Sequence, residues 1–307
     1  MIVQTKLNKK AQRSFVAIIA IILMCLFTYG LLTTSAQSAP AHPFYNDSEN
    51  GNTTQTIAYR GGLGLWPENT LYAFQQSELI GSDAIQMDAR MSLDNTLVAI
   101  HDNTVERTTN GFGAVNQLTL TELQNLDAGY HWSQDAGLTF KYRGQSITIP
   151  TIAEVFAEIN SIQIYVDIKD DELFAANLLC MNIRDNNMNQ KVLVTADNDL
   201  VLEHFRKTCP EIATSASGKE QKVFTALNAA FLTPIYSPRF HLVELPPTWY
   251  GLRLITPNLM QSARLRGLRV HAVNINESDQ MELVIQQGID GVVTDYPNLM
   301  IDVINNK

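Results

Sequence analysis

From Gln55 onward, short apolar runs alternate with stretches of helical spacing, and this alternation constrains the fold more than any other feature. The runs are residues 56–59, 84–88, 162–168, 191–195, 212–215, 241–245, 269–275 and 291–294. Between most of them, apolar residues recur at helical intervals, as in 70–79, 173–184, 200–207 and 279–286. Such alternation predicts βαβ units and a parallel sheet. About eight strands in roughly 250 residues predict an α/β chain closed into a (β/α)8 TIM barrel.

One run breaks the pattern. Residues 97–101 follow Met91 too closely to form the next parallel strand, because a parallel crossover needs about a dozen residues. Leu93-Asp94-Asn95 reads instead as the turn of a hairpin, which folds back over the barrel mouth and carries His101 toward Asp88. The stretch from about 105 to 150 is too long for a plain loop and holds a helical pattern at 119–126. It predicts a small inserted subdomain at the mouth.

The N-terminus carries a basic flank of Lys6, Lys9, Lys10 and Arg13, then a nearly pure apolar run at 15–32. At about 18 residues, that run suits either an uncleaved membrane anchor or a signal peptide. Thr34-Ser35-Ala36 and Ala36-Gln37-Ser38 offer small residues for cleavage. Either way, the basic flank predicts that the remainder lies outside the cytoplasm, membrane-attached if uncleaved and periplasmic or secreted if cleaved. Residues 1–33 are thus the targeting segment, 34–54 a flexible tether without apolar period, and 55–307 the barrel. The net charge of -9 argues against a nucleic-acid partner. Export makes a Cys180–Cys209 disulfide possible, although cysteines on successive helical segments are more often free and buried.

In a barrel of this class, chemistry sits at the carboxyl ends of the strands. There the chain places Tyr59-Arg60, Gln86 with Asp88, Asp167 with Lys169, Asn274 and Asn276, and Asp295, with His101-Asp102 on the hairpin. Asp88 and Asp167 on neighbouring strands repel unless a cation or a proton lies between them. Oxygen ligands favour Mg²⁺ or Ca²⁺, and Gln86, on the face of Asp88, offers a neutral oxygen. The bland alternative is an ion pair of either acid with Lys169 or Arg60. His101 has the side chain suited to proton transfer near neutral pH, and Arg60 the fork suited to phosphate.

Ile57-Ala58-Tyr59-Arg60-Gly61-Gly62, followed by Pro67-Glu68-Asn69-Thr70, resembles the His-Arg-Gly and Pro-Glu-Asn-Thr opening of the glycerophosphodiester phosphodiesterase family. Further along, Val98-Ala99-Ile100-His101-Asp102, Arg107-Thr108-Thr109, Ile149-Pro150-Thr151, Val166-Asp167-Ile168-Lys169 and Thr294-Asp295-Tyr296-Pro297 resemble later motifs of that family, in the same order. The resemblance implies a barrel with a mouth insertion that cleaves glycerophosphodiesters to an alcohol and glycerol 3-phosphate. It implies two histidines as acid and base, a divalent cation held by three acids, and an arginine on phosphate. Carried onto this chain, Arg60 and Lys169 match as phosphate-binding residues and His101 as a catalytic imidazole. Asp88 matches as a metal ligand, and Asp167 is a shorter acid at another metal position. Tyr59 replaces the other histidine, Gln86 replaces a metal-binding Glu, and Val273 replaces a Trp. Two readings follow: a metal-assisted hydrolase, slow to the extent that Tyr59 and Gln86 cost it rate, and a barrel that binds a phosphodiester or a partner without turnover.

Overall fold

The computed structural model describes residues 9–48 and 54–306; Lys6 of the basic flank and residues 49–53 of the expected tether lie outside the described residues. Helix α1 (Lys9–Ser35) is followed by a short 3-10 turn, Pro43–Ser48, and then by the barrel. In chain order the barrel comprises β1 (Gln55–Ala58), α2 (Leu71–Leu79), β2 (Ala84–Met91), β3 (Leu97–Ala99), α3 (Leu120–Gln124), α4 (Ile152–Glu158), β4 (Gln163–Ile168) and α5 (Leu173–Asp185). There follow β5 (Val192–Ala196), α6 (Asp199–Thr208), β6 (Ala213–Thr214), α7 (Gly218–Ala229), β7 (Leu242–Leu245), β8 (Thr248–Trp249), β9 (Leu252–Arg253) and α8 (Pro257–Leu265). The chain ends with β10 (Arg269–Val273), α9 (Ser278–Gln286), β11 (Gly291–Thr294) and α10 (Pro297–Asn305).

Eight parallel strands pair in the order β6-β5-β4-β2-β1-β11-β10-β7. A parallel bridge between Ser215 and Leu242 brings the two ends together, so the barrel is nearly closed. All eight apolar runs are the expected parallel strands. β3 pairs antiparallel with β2, with Met91 opposite Leu97, and Asn95 takes the left-handed turn position at φ 60. The hairpin over the mouth is therefore real. Residues 105–150 build a small cluster of their own around Val105, Val115, Leu123, Tyr142 and Ile147, sealed against β3. Helices α3, α4 and α7 each open with a capping box: Thr119 with Glu122, Thr151 with Glu154, and Ser217 with Glu220.

Inside the barrel, the lower layer consists of Ile57, Ala84, Tyr165, Leu193, Ala213, Leu242 and Val293. The His271 ring also points inward, and Gly291 makes room for it. A Cβ at Gly291 would stand 2.8 Å from the ring and from Ile57, so the position takes no side chain.

Two expectations need correction. Composition reads 34–54 as a loose tether, yet the described part is docked. Ala39 N–H donates to Arg266 O at 2.7 Å, and Gln37 N–H donates to Ser237 Oγ at 3.0 Å. The Phe44 ring, 1% exposed, fills the amino-terminal base of the barrel against Tyr165. A single aromatic in a polar stretch carries no period, so pattern reading passes over it. Cys180 and Cys209 are joined as a disulfide rather than free, with Cα atoms 6.0 Å apart, pinning α5 to the end of α6.

Helix α1 contains a window, Gln12–Ser35, long and apolar enough to cross a membrane, and none of it is buried. It matches the expected apolar segment and is compatible with an anchor or a signal.

Candidate active site

β1 runs directly into a tight turn, Tyr59–Gly61, in which Arg60 sits at φ 50 and ψ 32. Left-handed backbone in a residue other than glycine costs on the order of 1–3 kcal/mol and persists only where neighbours fix it. Here the Arg60 N–H donates to Gln86 Oε1 at 3.1 Å. The side chain donates from Nη1 to Glu68 at 2.9 Å and from Nη2 to the Tyr59 phenol at 2.7 Å. Its Nε lies 3.0 Å from Asp88 Oδ2 as a charge contact. Gly61 follows at φ 79; a Cβ there would meet the Phe74 ring at 2.8 Å, so α2 packs straight onto the turn.

Asp88 is fully buried on β2. Asn69, itself left-handed at φ 55, clamps it twice: Nδ2 donates to Oδ2 at 2.8 Å, and Oδ1 accepts from the Asp88 N–H at 3.1 Å. Gln86 donates from Nε2 to Asp88 Oδ1 at 3.2 Å. Strand register sets Asp88 directly beside Asp167 of β4. Lys169, two residues further on the same face, reaches back over both acids. Its Nζ lies 2.6 Å from Asp167 Oδ2, 3.8 Å from Asp88 Oδ1 and 3.0 Å from Asp197 Oδ2. Burial favours the neutral amine, but the facing carboxylates outweigh it and hold Lys169 above the ordinary lysine range. Burial pushes Asp167 up to about 7, against the pull of Lys169.

The hairpin delivers His101 to the same end of the barrel, since the preceding Ile100 N–H donates to Asp88 O at 3.1 Å. His101 Nδ1 lies 2.7 Å from Asp102 Oδ1. With Nδ1–H facing a carboxylate, Nε2 is the nitrogen free to exchange a proton. Arg107 holds Asp102 through Nε at 2.5 Å, and this bond, first among several, lowers the Asp102 carboxyl to about 2. The same guanidinium grips Glu68 with two bonds at 2.8 Å. Burial alone would raise Glu68, but Arg107 and Arg60 together hold it below the usual carboxylate range. One continuous chain thus runs Asp88–Arg60–Glu68–Arg107–Asp102–His101.

Tyr59, Arg60, Gln86, Asp88, His101, Asp167 and Lys169 all gather at the mouth. Elements to which the sequence reading gave no role complete the set: Glu68, Asn69, Arg107 and the inward-facing Glu244, whose carboxyl burial pushes up to about 7. The Pro-Glu-Asn-Thr segment contained two of them, and its helix-capping Thr70 was the available signal that it opens α2 at the mouth. Burial raises the Tyr59 phenol above its ordinary value, so it stays protonated near neutrality.

The donor set offers a divalent cation one free carboxylate oxygen, because both oxygens of Asp88 already meet Asn69, Arg60 and Gln86. Asp167 Oδ1 is buried without a hydrogen-bond partner, and Asp88 stands next to it. Gln86 fits less well, because its oxygen accepts from Arg60 and its NH₂ faces Asp88. The backbone donor of Arg60 fixes that orientation of the amide. Among the described residues, no three His, Cys, Asp or Glu side chains form a metal-sized cluster.

The model of the glycerophosphoryl diester phosphodiesterase family matches residues 60–299. The chain belongs to this family. A glycerophosphodiester phosphodiesterase of Caldanaerobacter subterraneus subsp. tengcongensis is 29% identical over 257 residues, covering 82% of this chain and 98% of the relative. Human lysophospholipase D GDPD1 is 24% identical, covering 81% and 86%. Among solved structures, the glycerophosphoryl diester phosphodiesterase domain of a Mycobacterium tuberculosis protein superposes with TM-score 0.72 at 17% identity, covering 83% and 100%. An Oleispira antarctica phosphodiesterase bound to its product sn-glycerol-3-phosphate superposes at 0.67 with 24% identity, covering 82% and 96%. The family comprises phosphoric diester hydrolases that act on glycerophosphodiesters and generally depend on a divalent cation.

Proposed function

We propose that this chain hydrolyses glycerophosphodiesters to an alcohol and glycerol 3-phosphate with the help of a divalent cation. The observation that carries the reading is the Asp88–Arg60–Glu68–Arg107–Asp102–His101 chain, which holds a guanidinium and an imidazole at one barrel mouth. Arg60 and Lys169 bind and offset the phosphate charge. His101, oriented by Asp102, moves the proton of the attacking water through Nε2. Tyr59, kept protonated, orients the phosphate and supplies a proton to the leaving alkoxide. Asp88 and Asp167 would hold the cation, which when bound polarises a non-bridging oxygen. Product binding by the Oleispira antarctica relative supports the phosphate end of this reading.

Tyr59 in place of the family's His, and the Gln86 amide turned onto Asp88, favour a second reading of binding without turnover. The test is hydrolysis of several glycerophosphodiesters by the purified protein with and without Ca²⁺ or Mg²⁺, alongside His101→Ala and Arg60→Ala. Cation-dependent turnover lost in both variants supports the hydrolase. Saturable binding of sn-glycerol 3-phosphate with no turnover under any condition supports the binder.

A further inference from the structure

The apolar helix and the active site lie at opposite ends of the barrel. Helix α1 ends at Ser35, and within four residues the chain is fastened to the amino-terminal base. Gln37 N–H donates to Ser237 Oγ at 3.0 Å, Ser38 Oγ to Leu265 O at 3.3 Å, and Ala39 N–H to Arg266 O at 2.7 Å. Ser237 precedes β7 and Arg266 precedes β10, so both belong to the helix-to-strand connections that floor the barrel. Helix α1 also packs on the 3-10 turn Thr233–Ile235, another floor element. Beside that turn, two adjacent apolar side chains are exposed, Phe231 at 74% and Leu232 at 36%.

Two residues from Ser35 to Gln37 span at most about 7 Å. From the floor to the site is longer: Ala84 to Asp88 on β2 alone is on the order of 13 Å. No slack exists for the barrel to turn over. We infer that the barrel stands base-down on the bilayer that α1 spans, with Phe231 and Leu232 in the lipid interface and the mouth opening into water. This rests on the reading of α1 as an uncleaved anchor. The site would then take water-soluble glycerophosphodiesters, while a lysophospholipid seated in the same membrane would lie out of reach. The opposite orientation has its own apolar candidate, the β8–β9 hairpin at the mouth with exposed Trp249, Tyr250 and Leu252.

The test uses the full chain in phosphatidylcholine–phosphatidylglycerol vesicles containing nitroxide lipid. In a Cys25→Ala background, single cysteines replace Phe231 or, separately, Leu232 at the floor, and Tyr250 at the mouth, each carrying an environment-sensitive fluorophore. The floor labels should be quenched at least about twofold, as for a side chain some 5–10 Å into the interface, and the mouth label unaffected. Quenching at Tyr250 without quenching at either floor position overturns the orientation while leaving the anchor intact. Release of the protein by an alkaline carbonate wash overturns the anchor, and the inference with it.

Discussion

Arg60 donates from Nη2 to the phenol oxygen of Tyr59 at 2.7 Å, and its guanidinium carbon lies 4.7 Å from the centre of the same ring. The phenol therefore spends an oxygen lone pair on Arg60, the arginine proposed to bind phosphate, which leaves its O–H free to point at a ligand. If that hydroxyl gives up a proton to the leaving group, Tyr59→Phe should lower kcat by about 10²-fold with little change in KM. Steady-state kinetics on a glycerophosphodiester would read it.

Tyr59→His combined with Gln86→Glu should raise activity above the parent. The imidazole suits proton transfer near neutrality, and the added carboxylate strengthens cation binding beside Asp88. The two positions both touch Arg60, so the double change should exceed the product of the single ones. A double-mutant cycle on kcat/KM measures the excess.

Lys169 supplies positive charge to Asp167 and Asp88 in the position where a cation would sit. Lys169→Met should therefore tighten Mg²⁺ or Ca²⁺ binding by roughly tenfold, while turnover falls because a charge proposed to bind phosphate is gone. Asp167→Asn should weaken cation binding instead. Titration calorimetry on the three proteins separates these outcomes.

Burial lowers His271 to about 3 and His241 to about 4. Unfolded imidazoles protonate near 6.5, so between about 6.5 and 4 the unfolded chain binds more protons and stability falls as the pH falls. Glu244, raised to about 7 by burial, has the opposite sign: its contribution is full below about 4.5 and is lost as the pH rises through 7. His271→Phe should thus lose less stability between pH 6.5 and 4.5 than the parent, by about 1–3 kcal/mol. Glu244→Gln should flatten the decline toward neutrality. Urea unfolding across that range checks both signs.

The Cys180–Cys209 bond closes a loop with a sequence separation of 29. Its removal by paired Ala substitution should cost about 3–4 kcal/mol, seen as a lower Tm that reductant no longer affects.

The eight strands were legible because parallel strands buried on both faces read as continuous apolar runs. The hairpin was legible from chain length alone, since too few residues separate Met91 from Leu97 for a crossover. Gln86, Asp88, Asp167 and Lys169 fell onto one rim because strand period and register place them there. Not every contact between distant residues was legible. Nothing local says that Glu68 bridges Arg60 and Arg107, whereas the ion pairs of Asp167 with Lys169 and of Asp88 with Arg60 were an alternative the sequence already offered. The Glu68 bridge arises only when the turn after β1 and the hairpin meet at the mouth.

Phe44 acts as a cork for the barrel, and it belongs to the stretch between helix and barrel rather than to any strand. A soluble form trimmed to Gln55 would leave Tyr165 and its neighbours open to water from below and would be prone to leak, swell or aggregate. Processing at Ala36 would keep the cork in place; a cut beyond Phe44 would pull it out. Any cleavage between α1 and β1 therefore also decides whether the barrel stays sealed.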